Sequence, residues 1–418
     1  MARSPKPMRT FSPEEQLLLA CARVRVDGET ADRIRALVAG AVEWPALIEG
    51  AAAHNLSPLV FRHLLDLCPE NLPAGVRARF EKGFQGHERW NLYLTAELFR
   101  LLGRFREQGI LAIPYKGPVL AAQAYGDVIL RQFADLDIAV RQRDMPRAHE
   151  LLIADGYESS YGPLLPGEAE KTQHSEYQYV RSPGRAIVEL QTDATLRYFP
   201  RPLDLDAIAS RLVPFAFAGG EVKALSAADT LVLLSVHGTK HYWERLLWTC
   251  DIAELARRDE RGQLPGGIPW DEAFSRAAEL RVGRMLRLAL WVARHFLDAP
   301  LPEPVLRKVE ADPVVRRMGE EIWSRFSLQG EARVAAVPRF WFRVRSSESF
   351  WQGLRYAGRI AILPTNPDRA DAPLSGRFSS AHAVLRPFLL LRRYGFRRWK
   401  SHDAEGAAKE AQRRENRH

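Results

Sequence analysis

Read by the spacing of its apolar positions, the chain changes character along its length. From residue 11 to about 95 apolar residues recur at helical intervals. Ser12-Pro13-Glu14-Glu15 is a helix start: a capping serine, proline at the first helical position, then acids near the positive end of the dipole. Trp44–Ala53 and Pro58–Leu67 follow the same spacing, and Pro69 and Pro73 punctuate the loop after them. Arg89–Gln108 reads as a long amphipathic helix closed by Gly109. Short β-prone runs then take over. Ile110–Pro114, Asp135–Val140, Tyr177–Arg181 and Ala186–Gln191 read as strands, the last two joined through the turn Ser182-Pro183-Gly184. Val119–Tyr125 and Met145–Ala154 suit helices, the second closed by Asp155-Gly156. Helical spacing returns from Ala227 to about Phe296, broken by Pro300, Pro302 and Pro304.

This order predicts an α+β fold: a small α/β core embedded between N-terminal and C-terminal helical regions. The expected units are an N-terminal helical region at 1–95, the core at 96–215, a helical region covering the site at 216–330, and a basic C-terminal region at 331–418. The last of these holds a polar loop from Pro364 to Phe378 and, from Ser401, a charged tail too poor in apolar residues to pack.

Composition narrows the picture only a little. With 418 residues, 46% hydrophobic and 27% charged, the chain is ordinary for a globular protein. Its net charge of +9 favours anionic partners without choosing among them. Cys21, Cys68 and Cys250 show no metal-binding or disulfide spacing, and no apolar run approaches a signal core or the ~20 residues of a membrane span. A cytoplasmic setting is expected.

The chemistry concentrates in the central unit. Asp135 and Asp137 stand two apart at the start of a strand, so both point to one face while Leu136 and Ile138 point to the other. Such a pair can bridge two divalent ions about 3.5–4 Å apart, the arrangement that stabilises both the attacking and the leaving oxygen in phosphoryl chemistry. Magnesium suits carboxylate and phosphate oxygens. Glu189, in the apolar run Ile187-Val188-Glu189-Leu190-Gln191, is the candidate third acid. Lys116 and the backbone of Gly117 lie where a strand gives way to a helix, a place for phosphate, and Arg131 stands four residues before the acids with a charge for another phosphate. Taken singly, each of these has a bland reading, as a solvated strand start, a turn or a strand-face acid. Their order and spacing together favour a site.

These residues resemble the uncharacterised nucleotidyltransferase family of bacteria, within the polymerase-β-like nucleotidyltransferase superfamily. The resemblance rests on Tyr115-Lys116-Gly117-Pro118-Val119-Leu120-Ala121, on Tyr125-Gly126-Asp127, and on Arg131 through Asp135-Leu136-Asp137-Ile138-Ala139-Val140. Asp155-Gly156-Tyr157, His174 and Val188-Glu189-Leu190-Gln191 fit it too, as does His237-Gly238-Thr239-Lys240-His241-Tyr242-Trp243-Glu244-Arg245-Leu246 with Trp248 and Asp251. It implies a mixed sheet flanked by helices, two magnesium ions (or manganese), and a nucleoside triphosphate donor whose monophosphate passes to an acceptor hydroxyl. Asp135, Asp137 and Glu189 would then be catalytic metal ligands, and Lys116 with Gly117 the phosphate-side element. The sequence departs from the pattern at Pro118, which offers neither the hydroxyl nor the N–H found there in many superfamily members, and at Gln191, where the family often has histidine.

His237 and His241 are four apart, on one face of a helix read as continuing through Trp243, Arg245, Trp248 and Asp251 and packing over the site. His241, Lys240 and Arg245 are candidates to contact the nucleotide, whereas Trp248 reads as core. The segment 385–400 interleaves arginines with Phe388, Leu389, Phe396 and Trp399, a pattern for a docked helix or for weak contact with an anionic membrane or acidic partner. No nucleic-acid-binding module is recognisable. The alternative to an enzyme is a catalytically inactive nucleotide-sensing or partner-binding protein on the same fold.

Overall fold

The computed structural model describes residues 10–160, 176–182, 186–192, 204–330 and 336–362. The tail from Ser401, the loop at 364–378, the segment 385–400 and His174 lie outside the described residues.

Helix α1 (Pro13–Cys21) begins as its sequence dictates. The Ser12 hydroxyl accepts from the Glu15 N–H at 3.2 Å, and the Glu15 carboxylate accepts from the Ser12 N–H at 3.0 Å. Helices α2 (Gly28–Val38), α3 (Trp44–Ala53) and α4 (Ser57–Leu67) pack around it. Helix α5 (Ala74–Glu107) is one 34-residue rod that starts directly after Pro73. Its first half buries only Phe80 and so carries no apolar stripe for spacing to reveal. Its second half buries Leu94, Leu98, Leu101 and Phe105 along one face. The boundary expected at 95/96 therefore falls inside a continuous helix.

Five strands form one mixed sheet in the order β1-β2-β5-β4-β3: β1 (Ala112–Pro114), β2 (Asp135–Val140), β3 (Glu158–Ser159), β4 (Glu176–Arg181) and β5 (Ala186–Thr192). Only β2 and β5 run parallel; the other neighbours are antiparallel. One face of the sheet, with Leu136, Ile138, Val188 and Leu190, packs on α5 and on α7 (Met145–Ala154). Between β1 and β2 the chain makes the short α6 (Gly117–Leu120), which widens into a π-helical turn over Ala121–Tyr125.

A second sheet, the hairpin β6 (Val213–Phe217) and β7 (Gly220–Ala224), was not expected, and it spans the 215/216 boundary. Its Phe217 ring lies 5.0 Å from that of Phe99 on α5. Helix α8 (Leu205–Ala209) precedes it. After it come α9 (Ala227–Lys240), α10 (Leu246–Glu260), α11 (Trp270–Glu279), α12 (Gly283–Leu297), α13 (Glu303–Glu310), α14 (Pro313–Arg325), α15 (Ala336–Arg345) and α16 (Phe350–Ile362).

The helices before and after the sheet share one core. Leu17, Ile34, Leu47 and Leu59 from the N-terminal side belong to the same buried cluster as Leu231, Ile252, Leu286 and Met318. Ala139 and Tyr115 from the sheet's other face join this cluster, so the sheet is held between two apolar masses. Among the described residues no helix is long and apolar enough to cross a membrane. Cys21, Cys68 and Cys250 are buried free thiols.

Candidate functional site

The parallel pairing of β2 with β5 sets the register of the acids. Asp135 lies beside Ile187, Asp137 beside Glu189, and Ala139 beside Gln191. Partners across a ladder share a face. With Leu136, Ile138, Val188 and Leu190 turned into the core and no more than 1% exposed, Asp135, Asp137, Glu189 and Gln191 are left on the opposite face. There they line a cavity of about 300 Å³.

The link from β1 to α6 places Lys116 at the same spot. Its ammonium donates to Asp137 Oδ1 at 3.0 Å, and the Tyr115 hydroxyl donates to the same oxygen at 3.1 Å. Burial opposes the Lys116 charge, but Asp137, Asp135 and Glu189 outweigh it and raise its pKa. One cation thus senses all three acids. Gly117 has φ +54°, and a Cβ there would sit 3.3 Å from the Asp135 carbonyl oxygen, so glycine lets the chain turn hard against β2.

The facing wall comes from α9 and α10. His237, Lys240, His241, Arg245 and Trp248 border the same cavity as the acids. They are not on one helix, as expected: α9 stops at Lys240, and Tyr242 and Trp243 both adopt left-handed backbone, φ 65° and 56°, before Arg245 opens α10. Two bulky residues in that region are costly and persist only where packing enforces them. Gly238 makes this possible, since the Trp243 ring lies where a Cβ on Gly238 would be, 2.5 Å away, and the Trp243 N–H closes on the Gly238 carbonyl at 2.9 Å. The turn brings the rings together: centroids are 4.7 Å apart for His237 and His241, 5.0 Å for His241 and Trp248, and 5.4 Å for His237 and Trp248. Burial first, then the surrounding lysines and arginines, hold both histidines well below their usual pKa, so both rings are neutral near pH 7.

A third element reaches the cavity from the N-terminal helices. His54 caps α10: its Nδ1 accepts from the Leu246 N–H at 3.0 Å, which leaves Nε2–H to donate to the Ser327 carbonyl at 2.7 Å. Burial pushes its pKa down to about 4. The next residue, Asn55, has φ 56° and borders the cavity. With its amide oriented to donate to the Ala52 carbonyl, its oxygen accepts from Arg245 Nη1 at 3.2 Å.

All nine candidates singled out in the sequence border this one cavity: Lys116, Gly117, Arg131, Asp135, Asp137, Glu189, Lys240, His241 and Arg245. The structure revises the reading of Arg131. Its Nε and Nη2 are taken by Asp251 at 2.8 and 2.9 Å, and Asp251, fully buried, also accepts from the Tyr125 hydroxyl at 2.7 Å. Burial would lower the Arg131 pKa, but Asp251 more than offsets it and holds the charge in place. A guanidinium so engaged anchors the loop before β2 to α10 rather than reaching for a phosphate. Trp248, expected in the core, stands on the cavity wall. Asn55 was missed because nothing links it in sequence to residues so far along the chain.

As a donor set, three carboxylates on adjacent strands suit a hard divalent cation such as magnesium. Among the described residues no group of three or more His, Cys, Asp or Glu is arranged to hold a metal ion. The Lys116 ammonium is paired with Asp137.

No curated protein and no solved structure matches the chain. The pattern of one family does match, over residues 40–298, a stretch that runs from just before α3 to the end of α12 and so takes in the sheet, both cavity walls and Asp251. On that match the chain belongs to the uncharacterised nucleotidyltransferase family.

Proposed function

We propose that the protein is a magnesium-dependent nucleotidyltransferase that moves a nucleoside monophosphate from a nucleoside triphosphate to an acceptor hydroxyl on a small molecule, sugar or protein. The observation that carries this reading is that Asp135, Asp137 and Glu189, on one face of the paired strands β2 and β5, line one cavity together with Lys116. In the reaction a bond forms between the acceptor oxygen and the α-phosphorus, the bond to the β-phosphate oxygen breaks, and pyrophosphate leaves with that electron pair. The hydroxyl proton passes to a carboxylate, for which Glu189, beside Asp137 in the sheet, is the candidate. Two magnesium ions (manganese could substitute) held by the three acids would offset charge on the attacking and leaving oxygens. Lys116 and the Gly117 backbone stand on the phosphate side, and Lys240 and Arg245 add positive charge from the facing wall. A cytoplasmic location supplies the triphosphate this reading requires.

The test is incubation with each labelled triphosphate, magnesium and a pool of metabolites or lysate, with Asp137→Ala protein alongside. Label should move to an acceptor and pyrophosphate should appear with the parent protein, and both should fall at least a hundredfold in the variant. A second reading, a nucleotide-binding protein without turnover, is favoured by Lys116 occupying Asp137 and by Pro118, which gives phosphate neither a hydroxyl nor an N–H. Binding of magnesium–nucleotide with no label transferred from any triphosphate would establish that reading and refute transfer.

A further inference from the structure

The cavity has two chemically different walls. On the sheet side are three acids and a lysine. On the α9–α10 side, His237, His241 and Trp248 make a cluster of contacting rings, His237 edge-on to Trp248 and His241 tilted against it, with Arg245 5.9 Å over the Trp248 ring and Lys240 beside them. An ordinary core cluster would be sealed. Here Val236, Gly238 and Thr239 are buried, while His237, Lys240, His241, Arg245 and Trp248 keep partial exposure and all border the cavity. Two amide side chains, Asn55 and Gln191, border it as well.

We propose that His237, His241 and Trp248 form a nucleobase subsite, with Gln191 reading the base's edge; this rests on the nucleotide-donor reading above. The surface is aromatic and therefore suited to stacking a flat heterocycle, and stacking is tolerant of which base it holds. Both imidazoles are held neutral, so each offers one N–H donor and one acceptor nitrogen without a charge that a neutral base would have to desolvate. The Gln191 side-chain amide pairs a donor with an acceptor, the combination that meets a base edge in a bidentate way. The left-handed backbone at Tyr242 and Trp243 brings these rings together, and such strain collects where binding geometry matters. With the base on this wall, Lys240 and Arg245 flank the triphosphate and the α-phosphate faces the acids. At about 300 Å³ the cavity is at the lower end of small-molecule sites, which run from roughly 300 to 1,000 Å³, so the nucleotide fills it and the acceptor approaches from its mouth.

The experiment is calorimetric titration of the full chain with ATP, GTP, CTP and UTP in turn, each with magnesium, and with magnesium tripolyphosphate as a probe that lacks a base. Trp248→Leu and His241→Ala should each weaken the best-bound nucleotide about tenfold or more. Trp248→Phe, which keeps a ring, should stay within about threefold, and tripolyphosphate affinity should be unchanged in all three. Equal losses for nucleotide and tripolyphosphate, undiminished nucleotide binding in Trp248→Leu and His241→Ala, or no nucleotide bound by the parent would each overturn the subsite. The two readings fail separately. Nucleotide held through this wall without pyrophosphate release removes transfer and leaves the subsite standing. Label transfer indifferent to Trp248→Leu and His241→Ala removes the subsite and leaves transfer standing.

Discussion

Arg131 and Asp251 lie 120 positions apart in sequence, yet their side chains meet in a bidentate pair at 2.8 and 2.9 Å. The pair joins the loop that delivers Asp135 to the helix that delivers Trp248, and so fixes one cavity wall against the other. Both partners are buried, Asp251 completely. Removing one charge from such a pair strands the other in a poorly solvated place, which costs about 3–5 kcal/mol, whereas replacing both by apolar groups is often near neutral. Asp251→Asn should therefore lower unfolding stability by roughly that amount in urea titrations, and Arg131→Met with Asp251→Leu should recover part of it, the rest being lost with the acceptor of the buried Tyr125 hydroxyl. A loss under about 1 kcal/mol for Asp251→Asn would mean that the pair does not anchor the wall. The sequence could single out Arg131, because it sits at a fixed short distance from two acids. It could not say where the charge goes. Pairing depends on a contact between distant segments that no local pattern records, and the same gap hides the contribution of Asn55.

Elements with a strong period were legible, and those without one were not. Strand β2 alternates buried Leu136, Ile138 and Val140 with the acids, and α7 carries Met145, Ala148, Leu151 and Leu152 at helical spacing. The break between α9 and α10 left no such mark. Tyr242 and Trp243 are poor residues for left-handed backbone, so the turn rests on packing around them, above all on the space that Gly238 leaves for Trp243. Two effects compete when that space is filled. Alanine for glycine within a helix gains about 0.5–1 kcal/mol, while a new methyl forced into a packed site costs about 1–3 kcal/mol. The ring at 2.5 Å belongs to a side chain only 5% exposed, with little room to retreat, so the clash should win. Gly238→Ala is expected to destabilise the protein by about 1–2 kcal/mol in chemical denaturation and to weaken nucleotide binding, because the Trp243 turn it disturbs leads into Arg245 and Trp248, which line the cavity. A variant as stable as the parent, with unchanged binding, would show that the turn tolerates the methyl.

Across the whole molecule, the acid-bearing sheet is held by helices from both ends of the chain, and His54 is one of the joints. Its Nδ1 lone pair caps α10, and its Nε2–H holds the Ser327 carbonyl after α14. Protonation would add a hydrogen to the nitrogen that accepts the Leu246 N–H, so the cap and the charged ring exclude each other. In the unfolded chain this histidine takes a proton near pH 6.5; in the folded protein burial delays it until about 4. Between those values the unfolded state binds more protons, so stability falls as the pH drops through the window and is fully retained above it. For His54 alone the loss between pH 7 and pH 5 is about 2 kcal/mol. His87, also pushed down to about 4 by burial, adds in the same direction, as do His63, His237 and His241, whose pKa values are lowered too. Glu97 and Asp312, carboxylates held below their usual range, contribute their losses only at lower pH. Urea midpoints at pH 7 and pH 5 should show the decline, with a shallower slope in His54→Gln; parallel slopes would mean that His54 is not a proton-sensitive joint. Because α10 carries Arg245 and Trp248 into the cavity, loosening its first turn reaches the site before it reaches the core. Nucleotide affinity measured across the same window should therefore fall in the parent at a pH where the protein is still folded.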